Sequence, residues 1–132
     1  KDDKPTCVIA PALGGVIVSY ETARSLEVKS LFTERVEGKM ILRRGFDLKK
    51  EDRVLVVEDV ITTGLSTNEV LEAVRSKGAE IIGVGCVVNR SGKTLDFGVK
   101  LKSLATLDFP AYKPEDCLLC KKGLGFTKPG SR

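Results

Sequence analysis

The sequence contains no histidine, and this absence narrows the possible chemistry more than any other feature of its composition. It excludes Ser-His-Asp and Cys-His nucleophile systems, HExxH metal sites and acid–base catalysis by imidazole. Tryptophan is also absent, and aromatic residues make up only 5% of the chain, which argues against an aromatic platform for single-stranded nucleic acid. Any chemistry must therefore depend on carboxylates, lysines, backbone amides or a bound metal.

Long hydrophobic runs are missing too, so the sequence predicts no membrane span, and its first residues do not lead us to expect a secretory segment. Cys7 and Cys86 lie in apolar runs and are expected to be buried thiols. Cys117 and Cys120 form a single C-x-x-C, whereas a structural zinc site needs a second pair; we favour a non-metal role and leave zinc open. A reducing, cytoplasmic setting is the expectation.

The charge balance is mildly basic, with 22 basic and 18 acidic residues and a net charge of +4. Such an excess suits an anionic small molecule as well as a nucleic acid. Because nothing but this charge favours nucleic-acid binding, we discount it. Hydrophobic residues make up 42% and charged residues 30% of the 132 residues, which is typical of one globular domain.

Apolar runs alternate with helical patterns along the chain, which predicts an α/β fold with a mostly parallel, twisted sheet flanked by helices. Strands are expected at residues 6–10, 29–33, 53–57, 81–88 and 102–107. One helix is expected at residues 16–26, with Val16, Tyr20, Ala23 and Leu26 on one face, and another at 67–77, opened by a Ser66–Glu69 capping box. Residues 34–46 read as a long loop or mobile hairpin. Residues 1–109 would form the core domain, and residues 110–132 an irregular tail packed on it.

In an open parallel sheet, ligands bind beyond the carboxyl ends of the strands. By this prediction the segments 12–15, 58–66 and 89–92 meet there. Residues 62–66 (TTGLS) can turn backbone amides and hydroxyls toward one point at the start of a helix, which is a natural phosphate site. The preceding carboxylates, Glu58 and Asp59, would repel a phosphate and suit paired sugar hydroxyls or the water shell of a divalent cation. The alternative is that these residues only end a strand and cap a helix. The segment is neither a Walker A loop nor a Rossmann fingerprint.

Residues 54–66 (VLVVEDVITTGLS) resemble the thirteen-residue phosphoribosyl diphosphate signature of the type I phosphoribosyltransferases. The resemblance implies that the two acids hold the ribose hydroxyls and that the Thr-Thr-Gly loop holds the 5′-phosphate. It also implies a five-stranded parallel sheet flanked by helices, a hood over the base and a mobile loop.

Over nearly its whole length the chain is similar to the orotate-specific branch of that family. Residues 10–15 (APALGG) match its diphosphate loop, and residues 31–46 look like its mobile catalytic loop. Asn89-Arg90 matches the arginine that grips the orotate carboxylate, and residues 112–132 resemble the tail of one branch. The resemblance implies transfer of ribose 5-phosphate to orotate to give orotidine monophosphate, with Mg²⁺ as cofactor and a homodimer whose lid covers a neighbouring site.

Three departures from the family pattern stand out. The usual lysine of the diphosphate loop is replaced by Leu13-Gly14-Gly15, and a mobile-loop histidine is impossible. The chain also begins almost on its first core strand, so we expect a fragment, a truncation or a hoodless relative. Arg35, Lys39, Arg43 and Arg44 remain as candidates to neutralise the leaving diphosphate. Lys39 is favoured, although an exposed charged hairpin is the competing interpretation.

The resemblance thus implies a defined set of site residues. Magnesium would be held mostly by ligand and water and only lightly by Glu58 and Asp59, while Thr62 and Arg90 would orient orotate. The catalytic candidates are Asp59, Lys39 and Arg35. The substrate-binding candidates are Leu13, Gly14, Gly15, Glu58, Asp59, Thr62, Thr63, Gly64, Leu65, Ser66 and Arg90. Two alternatives stay open: a purine or uracil phosphoribosyltransferase, and a catalytically silent phosphoribosyl-binding regulator.

Overall fold

The structure, a computed structural model, describes residues 4–110 and 112–125. Helices separate groups of strands along the chain, in line with the predicted α/β fold. The elements are β1 (Cys7–Pro11), α1 (Gly14–Leu26), β2 (Lys29–Val36), β3 (Lys39–Leu42), β4 (Arg53–Ile61), α2 (Leu65–Ser76), β5 (Glu80–Asn89), β6 (Leu101–Thr106) and α3 (Leu118–Lys121).

The strands form one sheet in the order β3-β2-β1-β4-β5-β6. Five of them pair in parallel, and β3 pairs antiparallel with β2 at one edge. The expected fold class, a mostly parallel sheet flanked by helices, is therefore confirmed. The hairpin formed by β2 and β3 adds a sixth strand to the five that the family resemblance implies.

Two hydrophobic clusters lie on opposite faces of the sheet. Alternate residues of β1 point to each cluster: Cys7 and Ile9 to the larger one, and Val8 and Ala10 to the smaller one. All five residues of β1 are buried, because helices cover the strand on both faces. The larger cluster includes Val70, Leu71 and Val74 of α2, which are fully buried as the sequence predicts.

Helix α1 uses a different face from the predicted one. Its buried residues are Gly15, Ser19 and Ala23, spaced at one helical turn, whereas Tyr20 is 58% exposed. Small side chains let the helix lie close to the sheet, where the Ser19 hydroxyl reaches the carbonyl oxygens of Val8 and Leu31 at 3.3 and 3.1 Å. The expected large apolar face is therefore wrong, except for Ala23.

Two boundaries near the predicted phosphate site also differ from expectation. Strand β4 continues to Ile61, so Glu58 and Asp59 lie within a strand and not in a loop. Helix α2 begins at Leu65, with Gly64 in a left-handed conformation (φ 79°) at the N-cap. Ser66 is thus already inside the first turn and makes no capping hydrogen bond, so the predicted capping box is wrong.

The described part of the tail contains the short helix α3, and its side chains are exposed except for the partly buried Cys117. Ala111 and residues 126–132 lie outside the described residues, and the prediction that the tail packs on the core stays a prediction. Among residues 4–110 and 112–125, no helix is long and apolar enough to cross a membrane.

Candidate active site

The sheet has a topological switch point between β1 and β4. After β1 the chain passes through α1 to β2 on one side, and after β4 it passes through α2 to β5 on the other. Such a reversal opens a crevice beyond the carboxyl ends of the two central strands. The segments that follow β1 and β4, residues 12–15 and 62–64, both face this crevice.

A small cavity lies where β4 ends and α2 begins. It measures about 70 Å³ and is lined by Glu58, by the loop and by the first turn of the helix, at residues 60–67. A space of this size admits a compact polar group. The Thr63 hydroxyl accepts from the Leu65 amide at 3.3 Å, and the remaining amides of the first turn have no helical acceptor. These amides and the helix dipole favour an anion there.

Gly64 gives this loop its shape. Its φ of 79° favours glycine, and a Cβ at this position would lie 3.1 Å from the ring of Phe97. The segment between β5 and β6 therefore packs directly on the turn. This support was not evident from the sequence, because Phe97 stands 33 residues away without a periodic pattern around it.

The two acids of β4 have different environments. Glu58 is only 7% exposed, and its Oε2 atom has no hydrogen-bond partner among the described residues. Burial, and then the neighbouring Asp59 carboxyl, raise the pKa of Glu58 to about 8. Asp59 is half-buried and accepts from the Val60 amide at 2.8 Å through Oδ1. A buried, unpartnered carboxyl beside a second carboxyl is ready to accept hydroxyl donors from a ligand.

The same pair suits a light contact with magnesium. Carboxylate oxygens are the hard ligands that Mg²⁺ prefers, and the cation usually keeps several waters. Within the described ranges, no three His, Cys, Asp or Glu side chains come together in a group that could hold a metal ion. The chemistry of the two carboxylates thus fits a magnesium ion that keeps most of its water shell.

The loop after β1 approaches the acids through glycines. A Cβ on Gly14 would lie 2.2 Å from Asp59 Oδ2, and one on Gly15 would lie 2.8 Å from the Ala10 Cβ and 3.6 Å from Glu58 Oε1. Backbone thus lies close to both carboxyl groups, and a side chain at position 14 would displace the Asp59 carboxyl. Leu13 precedes these glycines, and its side chain is 80% exposed. The peptide bond between Ala12 and Leu13 is cis.

The hairpin of β2 and β3 is fastened to α2. The Arg35 guanidinium forms a two-pronged ion pair with Glu69 and donates to the Gly38 carbonyl at 3.0 Å. It thus ties the hairpin turn to α2, the helix that follows residues 62–64, the predicted phosphate loop. Arg44 pairs with Glu34 in the same way. Lys39 is exposed, and it makes no ion pair with any residue in the described part of the chain.

Arg90 follows β5 directly and lies beside the phosphate loop. Its amide donates to the Ile61 carbonyl at 2.8 Å, and its guanidinium stands over the Phe109 ring at 5.3 Å from the centroid. The stacked ring limits the positions that the long side chain can occupy. The sequence offered no signal for this pairing.

The structure therefore gathers most of the predicted site at one edge of the sheet. Glu58 and the loop residues Thr62, Thr63, Gly64, Leu65 and Ser66 line the cavity, with Gly14 and Gly15 against the acids and Arg90 next to the loop. Lys39, Arg35 and Leu13 do not line the cavity. The roles assigned to individual residues stay predictions.

The chain is similar to known proteins in sequence and in structure. Residues 1–106 match the family model of the phosphoribosyl transferase domain. The chain is 54% identical over 125 residues to an orotate phosphoribosyltransferase of Caldanaerobacter subterraneus subsp. tengcongensis and 56% identical over 125 residues to one of Desulforamulus reducens. Each alignment covers 95% of this chain, and the chain spans 66% and 65% of those relatives' lengths.

Among solved structures, a crystal structure of orotate phosphoribosyltransferase from Aeropyrum pernix superposes with a TM-score of 0.65 at 27% identity. The superposition covers 94% of this chain and 68% of that one. The superposition therefore includes most of this chain.

Proposed function

Since this chain belongs to the phosphoribosyl transferase domain family, we propose that it transfers ribose 5-phosphate from phosphoribosyl diphosphate to orotate, giving orotidine monophosphate and diphosphate. The observation that carries the proposal is the buried Glu58, whose Oε2 atom has no hydrogen-bond partner among the described residues, next to Asp59 and to a small cavity at the start of α2. The names of the relatives at 54% and 56% identity support orotate as the base.

In the proposed reaction the 5′-phosphate of the donor occupies the cavity at the start of α2. The ribose hydroxyls then donate to Glu58 and Asp59, which lie at the end of β4 beside that cavity. Transfer passes through a sugar that carries positive charge, so the chain's main tasks are to position the two reactants and to exclude water. Magnesium, when bound, would supply positive charge to the departing diphosphate. None of these tasks requires histidine.

Orotate is proposed to bind between the phosphate loop and Arg90. The planar guanidinium can donate two parallel hydrogen bonds to a carboxylate, which an ammonium group cannot reproduce. Thr62 lines the phosphate cavity one residue beyond Ile61, whose carbonyl holds the Arg90 amide. The two candidate contacts for orotate are thus joined through the backbone.

The β2–β3 hairpin is proposed to close over the site as a lid. Lys39, at the start of β3, is a cation that can reach the departing diphosphate, while Arg35 is already engaged by Glu69. We assign Lys39 to charge neutralisation, and Arg35 to the same task once closure releases it from Glu69. Closure of this kind excludes water from the reacting sugar.

A homodimer and a cytoplasmic location complete the proposal. Leu13, Ile17 and Tyr20 follow one another at helical spacing and are exposed, which gives α1 an apolar stripe suited to a partner subunit. All four cysteines are unpaired thiols, as expected in a reducing compartment. Sedimentation velocity over a range of protein concentrations would test the dimer.

Asp59→Asn tests the reaction directly. The amide keeps the size of the side chain but replaces one acceptor oxygen with a donor, so we expect orotidine monophosphate formation to fall by about 10²-fold. The assay supplies phosphoribosyl diphosphate, MgCl₂ and orotate and separates the products by chromatography. Asp116→Asn, an exposed change of the same charge, is the control and should keep the parent rate. An unchanged rate in Asp59→Asn would contradict the assignment. Donor binding without turnover by the parent chain would favour a silent regulator instead.

Arg90→Lys tests the choice of base. We expect the KM for orotate to rise by about 10- to 100-fold, since a charge-assisted pair is worth about 1.5–3 kcal/mol, while donor affinity stays the same. Arg24→Lys, on the exposed end of α1, is the matched control. Competition among orotate, hypoxanthine and uracil completes the test. If the parent chain prefers hypoxanthine or uracil, or if Arg90→Lys leaves the orotate KM unchanged, the orotate assignment is wrong.

A further inference from the structure

The C-x-x-C pair at Cys117 and Cys120 has no part in the proposed transfer reaction. Both cysteines lie in the tail, one at the N-cap of α3 and the other at the third residue of that helix. The N-cap residue and the third helical residue lie at the same turn of a helix. In a capping box, the side chain of each of these residues reaches the backbone amide of the other. The turn is held by two backbone hydrogen bonds: the Cys117 amide donates to the Lys113 carbonyl at 2.9 Å, and the Lys121 amide donates to the Cys117 carbonyl at 3.0 Å.

The surroundings of the two thiols distinguish one from the other. The Cys120 backbone amide, and then the Cys120 thiol, lower the pKa of Cys117. The interaction with Cys117 raises the pKa of Cys120. A partly buried cysteine whose thiolate is stabilised by hydrogen bonds, with a second, exposed thiol beside it, is what thiol–disulfide exchange requires.

A zinc site within one chain is disfavoured by the ligands available. The sequence contains no histidine, and the only other cysteines, Cys7 and Cys86, are buried in the sheet. In the described segments, no third Cys, Asp or Glu completes a group with the pair. Structural zinc takes four ligands, so the pair would be only half of such a site.

We propose that Cys117 and Cys120 form a reversible thiol–disulfide exchange site that reacts with small disulfides such as glutathione disulfide. The Cys117 thiolate attacks one sulfur of the disulfide, breaks its S–S bond and releases one glutathione thiolate. The Cys120 thiolate then attacks the Cys117 sulfur, closes the intramolecular disulfide and releases the second glutathione. The two cysteines lose two electrons to the small disulfide, and their two protons end on the two glutathione thiols.

The test uses the full chain, first reduced and then exposed to glutathione disulfide, with peptide mapping under non-reducing conditions. The parent chain should form the Cys117–Cys120 disulfide and lose the mass of two hydrogens. Cys120→Ser should instead retain one glutathione on Cys117, because no second thiol displaces it. Cys117→Ser should be modified several-fold more slowly. The buried Cys7 and Cys86 should stay unmodified in the folded chain and serve as internal controls.

A second measurement uses the unsubstituted chain, so it depends neither on the folding of a variant nor on the transfer reaction. Alkylation by iodoacetamide as a function of pH should show Cys117 reacting several-fold faster than Cys120 at neutral pH. Equal alkylation rates with no intramolecular disulfide would overturn the proposal. So would zinc at one ion per two chains that protects both thiols, since this would identify the pair as half of a shared metal site.

Discussion

Replacing Gly14 with alanine is expected to lower the rate of orotidine monophosphate formation by about 10²-fold while leaving the fold intact. The new Cβ would lie 2.2 Å from Asp59 Oδ2 and 2.8 Å from its Cγ. Those atoms belong to the end of a side chain, so the carboxyl group can rotate away at little cost to stability. Rotation removes it, however, from the place where we propose that a ribose hydroxyl binds. Gly14 is also the first residue of α1, where alanine is a better helix former than glycine.

The Gly14→Ala experiment needs both kinetics and thermal unfolding. A large loss of kcat/KM with an unchanged or slightly raised Tm is the expected pattern. Gly125→Ala is the control, because a Cβ there meets nothing within 4 Å and the backbone is not left-handed. Gly15→Ala provides a contrast: its Cβ would clash with the Ala10 Cβ, which belongs to a buried strand, so the Tm should fall. Activity of Gly14→Ala within twofold of the parent would show that Asp59 does not need its observed position.

The contact between Gly14 and Asp59 shows what sequence patterns could not predict. The two residues are 45 positions apart, and each belongs to a segment that was already placed at the carboxyl edge of the sheet. Topology predicts that these segments converge, but not which atoms touch. The same holds for Arg90 and Phe109, and for Arg35 and Glu69. Each pairing depends on side-chain geometry between separate elements, for which a single sequence carries no periodic signal.

The fold itself was largely predictable, because apolar runs such as those of β4 and β5 must be buried on both faces of a parallel sheet. The errors occurred where local patterns and packing disagree. Helix α1 turns small residues to the sheet and leaves Tyr20 outside, because close helix–sheet packing leaves no room for a large ring. Glycine at position 64 occupies the N-cap, so α2 begins earlier in the chain than predicted and Ser66 does not cap it.

Replacing Glu58 with glutamine is expected to stabilise the folded chain at high pH and to weaken donor binding. Burial and the adjacent Asp59 raise the pKa of Glu58 from its ordinary value of 4.5 to about 8. Between these values the folded chain holds a proton that the unfolded chain has released, so Glu58 makes stability fall as the pH rises. The difference between the folded and unfolded pKa values limits this loss of unfolding free energy to about 5 kcal/mol. Relaxation of the site and entry of water reduce this loss. We therefore expect the free energy of unfolding of the variant to exceed that of the parent by about 2 kcal/mol at about pH 8.5, and by almost nothing near pH 5.

The gain in stability should come with a loss of function, because the same buried carboxyl is the proposed acceptor for the sugar. Its unpartnered Oε2 atom is tolerated in the free chain only while the group stays neutral. The Glu58 carboxyl can release its proton when the donor binds and then accept ribose hydroxyls through both oxygens, whereas the NH₂ group of a glutamine stays a donor, so affinity for phosphoribosyl diphosphate should fall by about tenfold or more. Urea unfolding at the two pH values and titration calorimetry with the donor and MgCl₂ measure both effects. Glu51→Gln, an exposed change of the same charge, should shift neither quantity. Equal stability of the variant and the parent at both pH values would mean that Glu58 is ionised in the folded chain, and unchanged donor affinity would remove it from the ribose site.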